Sequence, residues 1–271
     1  MADAQPEARS APPSFATATI FYSRFAEEFF PIRNWIEILF LFALFLFGAW
    51  GIRQQDFGFA SMEWLRHNFF IFTREPLLQV YVYIFVETFV LKLGMVVLLI
   101  FYLLMRREPV LGALALSGPI QNFSKRFLYF FVILCVALSW WQGIDPLTPD
   151  LPTPLFFQES ALLGNVLAVF SLAVVAPITE EIIFRGFLYP ALCSRLGRLA
   201  SIFLTTVVFT AAHAPQMNGD YGHLGLIFFI GALLTWQRAS TGSTGYTIGL
   251  HAFYNIALTI AGLIRFCFYG L

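Results

Sequence analysis

The chain has 271 residues, 59% of them hydrophobic and 12% charged, with a formal net charge of zero and a mean hydropathy of +0.75. A soluble domain carries about 25% charged residues, so this composition points to a polytopic membrane protein, and the balanced charge gives a nucleic-acid partner no electrostatic support. Cys135, Cys193 and Cys267 are scattered without CxxC spacing, which reads as small hydrophobes and not as a disulfide framework.

Residues 1–18 are rich in Ala, Pro and Ser without an apolar core, so they read as disordered and not as a signal peptide. Residues 19–32 mix aromatics with Arg24, Glu27 and Glu28, the pattern of a short helix lying in the membrane interface. Apolar runs then recur with the length that bilayer-spanning helices require. The predicted spans are 35–51, 77–105, 127–141, 161–178, 200–214, 223–236 and 246–263. The polar stretch 53–76 contains a further interfacial candidate at 68–72. An eighth, re-entrant segment fits near Pro177.

The expected fold is therefore all-α, a polytopic membrane helix bundle of about seven to eight transmembrane helices. Residues 1–34 form a cytoplasmic and interfacial segment, 35–150 accessory helices, and 151–271 the core, which shares one membrane domain with 35–150. Short loops rich in Lys and Arg stay in the cytoplasm. That places inside the loop 106–126 with Arg106, Arg107, Lys125 and Arg126, the loop 186–199 with Arg195 and Arg198, and a turn at Arg238. The acidic loop 142–160 and the loop 215–222 fall outside, and the N-terminus is cytoplasmic. Arg53, Arg66 and Arg74 in 53–76 run against this assignment.

Three charges, Glu180, Glu181 and Arg185, follow the fourth apolar run. A charge at the bilayer centre costs roughly 2.5–3.5 kcal/mol on insertion scales, so such groups pair or line a wet cavity. In a helix Glu181 and Arg185 share a face and can pair, while Glu180 is turned about 100° away and is left to face something else. Two later spans hold polar groups at helical spacing: Phe209 with His213, and His251 with Asn255. A carboxylate, one imidazole and an imidazole–amide pair on three helices suit hydrolysis. The carboxylate is a general base toward water, a histidine holds that water, and the His/Asn pair stabilises an oxyanion.

Other readings use the same residues. Glu181 and Arg185 fit a structural ion pair, His213 a packing histidine, and His251/Asn255 interhelical polar glue. Glu180, His213 and His251 are also acceptable zinc ligands. Glu87 and Lys92 in the second span are five apart, poor spacing for a direct pair; packing glue against other helices is the default reading, and lining the cavity or contacting substrate the alternative. No His-Glu-x-x-His occurs, as a zinc protease would need; nor does Gly-x-Gly-Asp, and Gly242-Ser243-Thr244-Gly245 has the wrong order for a rhomboid serine.

Glu-Glu-x-x-x-Arg, then Phe-x-x-x-His, then His-x-x-x-Asn, in that order, resembles the type II CAAX prenyl endopeptidase family. The wider group is the CAAX proteases and bacteriocin-processing (Abi) enzymes, glutamate-dependent intramembrane proteases. The resemblance covers about residues 161–260 and none of the first 150. It implies that Glu180 activates water with His213 holding it, that His251 and Asn255 form the oxyanion site, and that Glu181, Arg185 and Phe209 support them. It also implies a metal-free mechanism with no cofactor.

The expected activity is an intramembrane endopeptidase cutting near the C-terminus or membrane anchor of a membrane-associated peptide or protein, with or without lipid modification. Processing of a C-terminal sorting signal or a bacteriocin-type peptide is the rival within that reaction class. A non-catalytic membrane scaffold or peptide-binding partner is the rival from another class. A transporter would predict inverted repeats, and no repeat is visible.

Overall fold

The computed structural model describes residues 92–117, 120, 123–142, 166, 169–214 and 220–269. The terminal and interfacial segments before residue 34, the first span, the 53–76 stretch, Glu87 and the 143–160 and 215–219 loop segments lie outside the described residues. Within them the chain is all helical: α1 (Leu93–Met105), α2 (Val110–Ala113), α3 (Lys125–Gln142), α4 (Ala176–Glu181), α5 (Tyr189–Leu196), α6 (Arg198–His213), α7 (Tyr221–Thr241) and α8 (Thr244–Tyr269).

Two π-helical segments, Ser171–Val175 before α4 and Ile182–Leu188 between α4 and α5, make one helical run with them. A proline stands just beyond each, Pro177 and Pro190, in the first turn of α4 and α5. Proline in a helix lacks an N–H and crowds the carbonyl four residues back; a wider turn relieves that crowding. The amide of Ala176 bonds Ser171 O and that of Tyr189 bonds Phe184 O, each five residues back. The expected loop over 186–199 and the end of the fourth span at 178 are thereby corrected: the helix runs through to Leu196. Turns of this kind are frequent at functional sites.

Gly197 (φ 76°) and Gly242 (φ 69°) make the tight links between α5 and α6 and between α7 and α8. At Gly242 the left-handed conformation lets its amide close onto Arg238 O, the usual glycine end to a helix. At the other end of α7, Asp220 Oδ1 accepts from the His223 amide at 3.0 Å. That bond holds the Asp220 carboxyl below the usual carboxylate range.

The basic 106–126 stretch is not simply a solvated loop. Ala113 and Leu114 are buried against Ile182, Phe184, Phe187 and Leu188, and the Thr244 amide donates to Ala115 O at 2.9 Å. Nor is Arg238 in a turn. It is buried in α7, and its Nε donates to Arg185 O and to Thr244 Oγ1, both at 3.1 Å. A second apolar cluster joins α3, α7 and α8 through Phe131, Cys135, Leu226, Ile230, Leu234, Leu250 and Tyr254.

Among the described residues no helix is long and apolar enough to cross a membrane, so the expected count of seven to eight spans is not reproduced. The 16 residues of α6 reach about 24 Å at 1.5 Å per residue, short of a hydrocarbon core of roughly 30 Å. α7 has the length, with 21 residues, but carries His223, Gln237 and Arg238 near its ends.

Candidate active site

The helical run from Ser171 to Leu196 supplies the acidic pair, α6 supplies His213, and α8 supplies His251 and Asn255. The three sequence motifs meet at Glu180, which is 4% exposed. His213 Nε2 lies 3.7 Å and His251 Nε2 4.0 Å from the same oxygen, Glu180 Oε2. Both distances are too long for direct hydrogen bonds.

The far side of each imidazole sets its tautomer. His213 Nδ1 faces Phe209 O at 2.8 Å, and His251 Nδ1 faces Glu181 Oε1 at 2.9 Å. A carbonyl and an ionised carboxylate only accept, so both Nδ1 atoms carry the proton. Each Nε2 therefore turns toward Glu180 as an acceptor when the ring is neutral and as a donor when it is charged. The oxyanion role expected of His251 belongs to its charged form.

Glu181 and Arg185 form the pair that their spacing predicts. Arg185 Nη1 donates to Glu181 Oε1 at 2.8 Å, Nη2 to Gly231 O at 3.0 Å, and Nε to Thr235 Oγ1 at 3.1 Å. Both side chains are fully buried. Phe209 sits between the charges and the imidazole: Arg185 lies 4.3 Å from its ring centroid and the His213 ring 4.5 Å away. The cation meets the negative π-face, so Phe209 links the ion pair to His213.

This packing leaves no room opposite the ring. A Cβ at Gly231 would come within 2.9 Å of Phe209 Cδ1. Overpacking of this kind costs about 1–3 kcal/mol. Gly231→Ala is therefore expected to lower the thermal midpoint and to displace the Phe209 ring. A wild-type midpoint would contradict the packing described here.

Asn255 makes a bond that the sequence did not foretell. Its Nδ2 donates to Leu172 O at 2.7 Å. The amide of Ala176, which would bond this carbonyl in a regular helix, goes to Ser171 O instead. The residue one further on is Pro177 and has no N–H. Asn255 satisfies the carbonyl that the proline orphans, and one of its two amide hydrogens remains for other use. This bond is only partly buried, and the net worth of such a hydrogen bond is about 0.5–1.5 kcal/mol. Asn255→Ala is expected to lose that much in unfolding measurements, and an unchanged stability would show that the bond is dispensable.

Sequence reasoning singled out Lys92 without placing it at Glu180. Its Nζ lies 2.7 Å from Glu180 Oε1, 88 positions upstream and in no motif, and it had read as packing glue. The sign available was its charge within an apolar run. Among the described residues no group of three or more His, Cys, Asp or Glu is arranged to hold a metal ion.

Comparison with known proteins finds the same segment. Residues 162–257 match the model of a family described as type II CAAX prenyl endopeptidase Rce1-like. The uncharacterized protein YyaK of Bacillus subtilis (strain 168) is 29% identical over 147 residues, which cover 51% of this chain and 46% of that protein. The match thus spans about half the length of each. No solved structure matches the chain significantly.

Proposed function

We propose that this chain, with its Rce1-like segment at residues 162–257, is an intramembrane endopeptidase of the CAAX type. It cleaves a peptide bond near the C-terminus or membrane anchor of a membrane-associated peptide or protein. The observation that carries the reading is the convergence of His213 Nε2 and His251 Nε2 on Glu180 Oε2, within 4.0 Å, inside that segment.

A water between Glu180 Oε2 and His213 Nε2, 3.7 Å apart, would donate one hydrogen to each. Glu180 takes a proton from it as general base, a role worth about 10²–10⁴-fold, and His213 orients it. The water oxygen bonds to the scissile carbonyl carbon, and the carbonyl becomes an oxyanion. His251 in its charged form and the second Asn255 amide hydrogen stabilise that oxyanion. Collapse breaks the C–N bond, and the proton held by Glu180 passes to the leaving amine. No metal or cofactor takes part in this scheme.

The outer surface supports a bilayer setting. Phe101, Met105, Ile133 and Leu199 are each at least 60% exposed, and exposed apolar side chains on α1, α3 and α6 suit contact with lipid. The chain is read as an integral, multi-pass membrane protein with a cytoplasmic N-terminus.

Mass spectrometry of C-terminal peptides from membranes tests the proposal, comparing cells that carry wild type with cells that carry Glu180→Gln. The expected result is a new C-terminus made only by the wild type. A lipid-modified cysteine beside the cut assigns prenyl-CAAX cleavage; an unmodified tail assigns sorting-signal or bacteriocin-type processing. Identical sets of termini would overturn the reading.

A further inference from the structure

Lys92 enters the site from outside the matched segment, at the head of α1. The Glu180 carboxylate is divided between two sets of groups: Oε1 faces Lys92 Nζ at 2.7 Å, and Oε2 faces the two imidazoles. An ammonium bound to one oxygen fixes the plane of the carboxylate and so fixes where the other oxygen points. Arg185, the nearby guanidinium, is committed to Glu181 four residues away. From this division we propose that Lys92 is a positioning residue for the reaction, anchoring Glu180 Oε1 so that Oε2 is presented to water, His213 and His251.

The inference rests on the protease reading and adds to it a residue that the matched segment does not contain. A role in binding the C-terminal carboxylate of a CAAX-type substrate fits less well. That carboxylate lies three residues beyond the cut, about 10 Å away in an extended chain, whereas Lys92 is in contact with the general base itself. The accessory helices thereby become part of the site.

The test uses the full-length protein in membranes, with the appearance rate of the cleaved C-terminus normalised to folded protein. Lys92→Met is expected to slow cleavage by on the order of 10²-fold, the effect of misplacing a reacting group by about 1 Å. Lys92→Arg, which keeps a cation in place, is expected to recover most of that loss. Wild-type rates in Lys92→Met would overturn the proposal, as would an equal loss in Met and Arg variants.

Lys92→Met leaves a buried carboxylate without its ammonium and can lower the yield of folded protein, so a second measurement accompanies it. Unfolding midpoints are compared for Lys92→Met, Glu180→Gln and the double variant. A coupled pair predicts that the double variant is less destabilised than the sum of the singles; additive effects would overturn the contact. If no terminus distinguishes wild type from Glu180→Gln, the protease reading fails instead, and the midpoints alone decide whether Lys92 anchors Glu180.

Discussion

Glu180→Gln is expected to fold, with a modestly lowered midpoint, and to lose cleavage by about 10²–10⁴-fold, the range for removing a general base. The amide keeps an oxygen for Lys92, which bonds Oε1 at 2.7 Å, and it fills the same volume. What it loses is basicity at Oε2, the atom on which His213 and His251 converge. Circular dichroism and the unfolding midpoint report the fold, and the rate of C-terminal product formation reports the chemistry. A variant that unfolds would recast Glu180 as a structural charge.

Arg185→Ala is expected to do the reverse, with stability failing first. It leaves Glu181 fully buried with its cation gone and also removes the Arg185 bonds to Gly231 O and Thr235 Oγ1, which keep their bond to each other. Breaking a buried ion pair by removing one member costs about 3–5 kcal/mol, a large part of a typical domain's stability. Glu181→Ala carries the same penalty and also removes the acceptor of His251 Nδ1. That frees the imidazole to change tautomer, so any protein that does fold is expected to be impaired. The yield and midpoint of purified protein decide this. Equal losses of folded protein in the Glu180, Glu181 and Arg185 variants would contradict the division of roles.

What the sequence made legible was local. Glu181 and Arg185 stand four apart, and the ion pair follows from helix geometry whatever the tertiary setting. Phe209 with His213, and His251 with Asn255, also lie at helical spacing, so each pair could be placed on one face. Their convergence on Glu180 depended on three helices packing together; chemistry and resemblance suggested it, while spacing did not.

What escaped was tertiary or came from irregular backbone. Lys92 reaches Glu180 across 88 positions, and no periodicity links them. Asn255 makes a bond that its motif did not announce: it donates to Leu172 O, because Pro177 and the widened turn before it leave that carbonyl without an amide. Arg238 looked like a loop cation, but its guanidinium is drawn inward by Arg185 O and Thr244 Oγ1. The two π-helical segments carried the helix past positions that had read as its end. Both precede a proline, and a proline in sequence signals a break more readily than a widening.

If Glu180 activates water for hydrolysis, the oxygen of that water ends up in a new C-terminus. Membranes from cells carrying Glu180→Gln supply the uncut substrate without its identity being known. Purified wild-type protein added to these membranes in ¹⁸O-enriched water should generate a C-terminus bearing one ¹⁸O, and added Glu180→Gln should not. Labelled termini appearing equally with both proteins, or with neither, would contradict the account.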